Sequence, residues 1–206
     1  MLESLTLPNI VVVLVCLLIS MTIHEFMHAY VGFRLGDTTA MERGRVSFNP
    51  LHHIDPIMTI ILPAITLLLF HFPILAAKPV PFNPSRLKFG EYGAALLALA
   101  GPASNLALAF VAALVLRFIF IDPGSFLHQA VLTFVQLNVI LGVFNLVPIP
   151  PLDGSRILYA FAPEPVQELM QQIEPFGFFI IIALVLWGGA SNILYYLDNL
   201  ILNVLP

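Results

Sequence analysis

Three ionisable residues lie within five consecutive positions of an otherwise apolar stretch near the N-terminus. The sequence reads His24-Glu25-Phe26-Met27-His28, the pattern H-E-x-x-H. On a helix the two histidines stand one turn apart on the same face, where neutral imidazoles can bind one zinc ion. Glu25 is then placed to act as general base toward a water at that ion. Because ionisable groups are costly inside a membrane helix, their presence there indicates a function.

A catalytic zinc ion generally takes three protein ligands and keeps a fourth position for water or substrate. The third ligand must therefore come from elsewhere in the chain, and Asp153 is the strongest candidate. It follows a proline-rich end of an apolar segment and precedes Gly154, which we expect to let the backbone turn tightly. Weaker candidates are the other acidic and histidine residues in or beside apolar segments, namely His52, His53, Asp55, His71, Asp122 and His128.

The composition indicates a membrane protein. Of the 206 residues, 59% are apolar and 10% are charged, against about 45–50% and about 25% in an ordinary globular domain. So few charges cannot cover a surface that faces water on all sides. The net charge of -4 provides no basic face for nucleic acid. The expected partners are membrane lipid and a transmembrane protein substrate, and not nucleic acid.

Four stretches are long and apolar enough to span a bilayer as helices. They cover residues 8–35, 92–120, 126–147 and 176–197. A fifth apolar stretch, residues 57–77, contains Pro63 and Pro73 and is predicted to form a kinked re-entrant or fifth spanning segment. Residues 36–56 and 78–84 are rich in proline, glycine and asparagine, which favours extended chain or short strands. The predicted fold is an all-α polytopic membrane protein in which residues 1–206 form a single embedded domain.

Basic residues predict how the chain is oriented in the membrane. Six of the eight lie in the two loops that flank residues 57–77. By the positive-inside rule both loops are cytoplasmic, which places the N-terminus outside and favours a re-entrant path between the loops. His24 and His28 then lie toward the cytoplasmic side, and we expect the plasma membrane as the location. The six residues are Arg34, Arg43, Arg45, Lys78, Arg86 and Lys88.

A second motif surrounds Asp153. Residues 145–154 read N-L-V-P-I-P-P-L-D-G, the pattern N-x-x-P-x-P-x-L-D-G. Together with H-E-x-x-H it resembles the site-2 protease family of intramembrane metalloproteases. Residues 101–105 (GPASN), 49–56 (NPLHHIDP) and 78–84 (KPVPFNP) are similar to the small, single-domain branch without a PDZ or CBS domain. The resemblance implies that His24, His28 and Asp153 hold zinc and that Glu25 activates water.

Two asparagines in the apolar helices are further candidates. Asn145 matches the asparagine of the second motif, and its amide could donate to the oxyanion that develops during peptide hydrolysis. Asn105 follows a Gly-Pro break and is predicted to contact the backbone of the substrate. For both residues the alternative is packing between helices, where membrane asparagines also form hydrogen bonds.

The predicted function is zinc-dependent hydrolysis of peptide bonds in or near transmembrane segments, as in regulated intramembrane proteolysis. Such a substrate must bind in extended form, most simply by pairing with a strand edge. Residues 44–49 are favoured for this role, because the prolines at 79, 81 and 84 cannot donate to a ladder. One alternative is a catalytically inactive relative that binds membrane proteins. The other is a metal-ion transporter, which the scarcity of further polar residues in the long helices disfavours.

Overall fold

The computed structural model describes residues 6–55, 61 and 78–186, and these residues form helices, turns and irregular chain without a β-strand. The α-helices are α1 (Leu7–Arg34), α2 (Thr39–Glu42), α3 (Glu91–Phe118), α4 (Phe126–Asn145), α5 (Asp153–Phe161), α6 (Glu164–Ile173) and α7 (Gly177–Leu186). Short 3-10 turns lie at Pro50–His52, Pro84–Arg86 and Glu174–Phe176.

Three of the predicted membrane helices are confirmed. Helices α1, α3 and α4 match the predicted stretches 8–35, 92–120 and 126–147 with ends that differ by at most two residues, and each is long and apolar enough to cross a membrane. Only 17–28% of their most apolar stretches is buried inside the protein. Most of their apolar surface therefore points outward, as expected where lipid is the solvent.

Two predicted membrane segments fall partly or wholly outside this description. Helix α7 covers residues 177–186 of the predicted helix 176–197, and the remaining positions lie outside the described residues. The predicted re-entrant or spanning segment 57–77 also lies outside them, apart from Ile61.

Helix α3 is the centre of the bundle, because it packs against α1, α4 and α5. Small side chains on its buried face let the neighbouring backbones approach closely, which drives packing between membrane helices. Gly142 of α4 meets this face, and a Cβ there would lie 2.8 Å from the side chain of Leu106. The small buried residues of α3 are Gly93, Ala94, Ala95, Ala98, Ala100, Gly101, Ala109 and Ala112.

The loop after α1 contains helix α2, which the sequence analysis did not predict. Asp37 lies two residues before it, and its carboxylate accepts hydrogen bonds from the amide and the hydroxyl of Thr39 at 3.0 and 2.5 Å. The same carboxylate accepts the amide of Asn83 at 2.6 Å. Burial raises the pKa of Asp37, but these hydrogen bonds and the nearby Arg86 outweigh it and keep the pKa below its ordinary value. A charged carboxylate thus joins the end of α1 to the chain before α3.

The extended segments form no strand pair within the described part of the chain, so the strand alternative is wrong there. The buried guanidinium of Arg45 instead donates to the backbone carbonyls of His52, Lys78 and Pro79. Side-chain bonds thereby hold residues 45–52 and 78–79 together. Backbone pairing is limited to one hydrogen bond, from the amide of Lys78 to the carbonyl of His53 at 3.2 Å. Prolines at 79 and 81 remove the donors that a ladder would need.

Helix α5 begins at Asp153, directly after the proline-rich segment. Gly154 has no left-handed backbone conformation, so the predicted tight turn is not the reason for glycine here. A Cβ at this position would lie 2.2 Å from the carbonyl oxygen of Leu146. Glycine is required because the start of α5 touches the backbone at the end of α4.

Substitution of Gly154 by alanine should destabilise the protein. The new methyl group would overlap a backbone oxygen that cannot rotate away, and overpacking of this kind costs about 1–3 kcal/mol. We expect a lower thermal unfolding temperature by circular dichroism in detergent. Gly124→Ala is the matched control, because a Cβ there meets its nearest neighbour, Asp122 Oδ1, at an ordinary 3.7 Å. Equal unfolding temperatures for the two variants would contradict the packing described here.

Candidate metal centre

Helices α1 and α5 bring His24, His28 and Asp153 to one point. The Nε2 atoms of the two histidines lie 2.9 Å apart. Asp153 Oδ2 lies 3.2 Å from Nε2 of His24 and 3.3 Å from Nε2 of His28. Both histidines are buried and Asp153 is half-buried. The three side chains are a possible metal-binding group made of two imidazoles and one carboxylate.

The outer nitrogens of both imidazoles are held by oxygen atoms. His28 Nδ1 lies 2.8 Å from the backbone carbonyl of Leu97, and His24 Nδ1 lies 2.5 Å from Oδ1 of Asn105. A carbonyl oxygen can only accept, so each Nδ1 carries the proton and each Nε2 has a free lone pair. This tautomer, with an outer-shell partner on the second nitrogen, is the one that metal-binding histidines adopt.

Three buried electron-pair donors, Nε2 of His24, Nε2 of His28 and Oδ2 of Asp153, thus face one another. Asp153 Oδ2 is buried and receives no hydrogen bond from any described residue. Such an arrangement is repulsive unless a cation lies between the donors. Their separations of 2.9–3.3 Å compare with about 3.3 Å between ligand atoms of a tetrahedral zinc ion bound at about 2.0–2.1 Å. The residues present therefore fit zinc.

Gly101 leaves space beside the two histidine Nε2 atoms. A Cβ on this residue of α3 would lie 2.3 Å from Nε2 of His28 and 2.6 Å from Nε2 of His24. Any other residue type would place carbon against both ligand atoms. The backbone of α3 therefore forms one wall of the site, and the wall is open because position 101 has no side chain.

Glu25 is buried beside this group on α1. Its carboxylate is within electrostatic range of His24, His28, Asp153 and Arg45. The next residue, Phe26, stacks on Phe48 with ring centroids 3.9 Å apart. This contact brings the irregular segment that contains Arg45 and Phe48 alongside the same turn of α1.

The two predicted asparagines occupy different surroundings. Asn105 is fully buried, and it contacts His24 through Oδ1 and donates from Nδ2 to Asn138 Oδ1 at 2.9 Å. Its partners here are thus within the protein, and a contact with substrate stays a prediction. Asn145 is half-buried at the end of α4 and donates to the carbonyl of Leu141 at 2.9 Å. Its role toward an oxyanion also stays a prediction.

Three of the weaker candidates for the third ligand, His52, His53 and Asp122, have other hydrogen-bond partners. His52 Nδ1 contacts the carbonyl of Gly44 at 2.7 Å, and His53 Nε2 contacts that of Ser47 at 2.8 Å. Asp122 accepts the amide of Gly124. His128 lies in the first turn of α4, and His71 lies outside the described residues.

Sequence reasoning missed three residues that shape this site, namely Gly101, Arg45 and Asn138. Asn138 had a detectable signal, because it is a polar residue within an apolar helix and lies two turns before Asn145 on the same face. Gly101 is part of the GPASN sequence, but its role as an open wall of the site depends on how α3 packs on α1. Arg45 was counted only for its charge, whereas its side chain is buried.

Comparisons with known proteins agree with a metalloprotease. The model of peptidase family M50 matches residues 124–187. The chain is 35% identical to "Putative zinc metalloprotease YwhC" of Bacillus subtilis, over 90% of this chain and 84% of that protein. It is 33% identical to "Putative zinc metalloprotease Rip2" of Mycolicibacterium smegmatis, over 82% of this chain and 64% of that protein. A Methanocaldococcus jannaschii protein, "Putative zinc metalloprotease MJ0611", is 36% identical, over 66% of this chain and 62% of that protein. No solved structure matches the chain.

Substitution of Gly101 by alanine should block metal binding and leave the helices intact. The methyl group would occupy the space between the two ligand nitrogens. We expect loss of most of the zinc that copurifies with wild type, measured per chain by elemental analysis, with unchanged helical circular dichroism. Gly32→Ala is the control, since its Cβ would meet only the end of the Leu97 side chain, at 2.9 Å, which can move. Full zinc content in Gly101→Ala would show that the ion does not bind here.

Proposed function

Because the chain belongs to peptidase family M50, the site-2 protease family, we propose that it is an intramembrane zinc endopeptidase. Its substrates are membrane proteins, cleaved in or near a transmembrane segment. The observation that carries this proposal is the convergence of two Nε2 lone pairs and one carboxylate oxygen beside a buried glutamate, next to outward-facing apolar helices.

In this proposal His24, His28 and Asp153 hold the zinc ion. When bound there, zinc lowers the pKa of a water molecule and polarises the carbonyl of the scissile peptide. Glu25 accepts the proton from the attacking water and later delivers it to the nitrogen of the leaving amine. The amide of Asn145 donates to the carbonyl oxygen as negative charge develops on it. The imidazoles of His24 and His28 keep their protons on Nδ1 throughout, because Asn105 and Leu97 accept them.

The substrate must reach this site in extended form, since a helix shields its own peptide bonds. Residues 44–49 are suited to receive it, as the sequence predicted. The backbone amides of Val46 and Phe48 donate to none of the described residues. The chain bends at both residues in the unbound protein, so pairing with a substrate would require this segment to straighten. The stacking of Phe48 on Phe26 holds this segment next to Glu25.

The proposed setting is the plasma membrane, with the N-terminus outside and the metal centre toward the cytoplasmic side. Arg34, Arg43 and Arg45 follow the metal-binding part of α1 in the chain. Their positive charges favour the cytoplasmic side for this end of the helix.

Substitution of Glu25 by glutamine should abolish cleavage and preserve zinc binding. Glutamine has a similar size but cannot take up the proton, so the rate should fall by about 10²–10⁴-fold. The measurement is cleavage of a single-span membrane protein coreconstituted in liposomes, with zinc content determined on the same samples. Glu168→Gln is the matched control, because that exposed glutamate lies on α6 and should leave the rate unchanged.

Three results would contradict the proposal. Normal cleavage by Glu25→Gln would remove this residue from the mechanism. Equal retention of uncut membrane proteins by wild type and Glu25→Gln, with zinc bound in both, would indicate the catalytically inactive relative. Passage of zinc across the liposome membrane would instead indicate a transporter.

A further inference from the structure

Asn138 lies at the end of a chain of hydrogen bonds that begins at a metal ligand. Its side chain is fully buried on α4, a helix that contributes none of the three ligands. Asn105 on α3 donates to its Oδ1 at 2.9 Å and contacts Nδ1 of His24 through its own Oδ1 at 2.5 Å. The chain therefore connects α4 through α3 to the imidazole on α1.

The direction of each hydrogen bond in this chain is set by its last member. Asn138 Nδ2 donates to the backbone carbonyl of Phe134 at 2.9 Å, and that oxygen can only accept. Oδ1 of Asn138 is therefore the atom left to face Asn105, so Asn105 must present its Nδ2 group there. Oδ1 of Asn105 then faces His24, and His24 must donate from Nδ1. The lone pair on Nε2 of His24 is thus fixed by an atom two side chains away.

We propose that Asn138 is a positioning residue of the metal centre, which fixes the tautomer and the ring orientation of His24 through Asn105. This inference rests on the proposed zinc site and adds a residue on a third helix to it. Partners of this kind around metal-binding histidines are worth about 10–100-fold in metal affinity. Without Asn138, Nδ2 of Asn105 keeps only its longer hydrogen bond to the carbonyl of Ser20, at 3.4 Å. An amide held this weakly can turn and present Nδ2 to His24, which would favour the proton on Nε2 and block that ligand atom.

His28 provides an internal reference for this idea. Its Nδ1 donates directly to the carbonyl of Leu97, a backbone group of α3 that does not depend on Asn138. A general loosening of the bundle would disturb both imidazoles. Loss of the Asn138 hydrogen bond should change the tautomer of His24 only, although the His28 Nε2 signal should shift because the two Nε2 atoms lie 2.9 Å apart. The two histidines therefore distinguish a positioning role from simple packing between helices, which is the usual role of a membrane asparagine.

The test replaces Asn138 by leucine, which has the same number of side-chain heavy atoms and removes both hydrogen bonds. Metal-free protein labelled with 15N-histidine is studied by NMR, with the signals assigned by His24→Gln and His28→Gln. We expect the His24 signals to move from the pure Nδ1–H pattern toward a mixture of tautomers, while His28 keeps its proton on Nδ1. Zinc affinity, measured by competition with a chelating dye, should fall about 10–100-fold.

Thr133→Val is the matched control. Thr133 is another polar residue of α4, but its hydroxyl donates to the carbonyl of Gln129 within its own helix. It should change neither the His24 signals nor the zinc affinity. If leucine at 138 prevents folding, Asn138→Ala removes the same hydrogen bonds without adding volume and is measured in the same way.

Two outcomes would overturn the positioning role. One is a His24 spectrum and zinc affinity that stay unchanged in the folded variant. The other is a joint loss of the Nδ1–H tautomer at His24 and His28, which would indicate packing alone. A wild-type protein that binds no zinc would contradict the proposed function. The NMR comparison on metal-free protein would still test whether Asn138 sets the tautomer of His24.

Discussion

The mutual repulsion of three buried electron-pair donors is the constraint on which the rest of the structure depends. Nε2 of His24, Nε2 of His28 and Oδ2 of Asp153 lie within 3.3 Å of one another. Apolar surroundings make this arrangement unfavourable unless a cation is present and every remaining polar atom is satisfied. The surrounding helices meet the second condition, because both Nδ1 atoms face oxygen. The first condition is the physical case for a metal ion.

The register between α1 and α3 explains how these contacts are made together. His28 contacts the backbone carbonyl of Leu97, and Gly101 lies against both histidines. Asn105 contacts His24 through Oδ1 and donates from Nδ2 to the carbonyl of Ser20 at 3.4 Å. Contacts that move down one helix as they move up the other show that α1 and α3 are antiparallel. The contacting residues on α3 are four apart, one turn of helix each time. One stripe on α3 thus supplies a backbone acceptor, an empty space and an amide to successive turns of α1.

Sequence alone predicted the parts of this arrangement that a single segment encodes. The long helices follow from apolar length, and the histidine pair with Glu25 follows from spacing along one helix. Asp153 could be ranked above the other candidates because its proline-rich surroundings fix the chain there. Gly101 and Asn138 could not be assigned, since their roles exist only when α3 and α4 pack in one register. The sequence suggested a tight turn as the reason for glycine at position 154. The actual reason is the close approach to the backbone of Leu146, which a sequence does not reveal.

The failed strand prediction has a physical explanation that bears on the proposed activity. A backbone ladder between residues 44–49 and 78–84 would satisfy the facing edges of both segments. Arg45 and Asp37 instead anchor the chain with side chains, the first through the carbonyls of Lys78 and Pro79 and the second through the amide of Asn83. The Arg45 anchor acts through a side chain and leaves the backbone amides of Val46 and Phe48 without an acceptor among the described residues. An edge that is held in place but left unpaired is what an extended peptide needs for main-chain binding. Under the proposed function, these amides are the groups with which an extended substrate would pair.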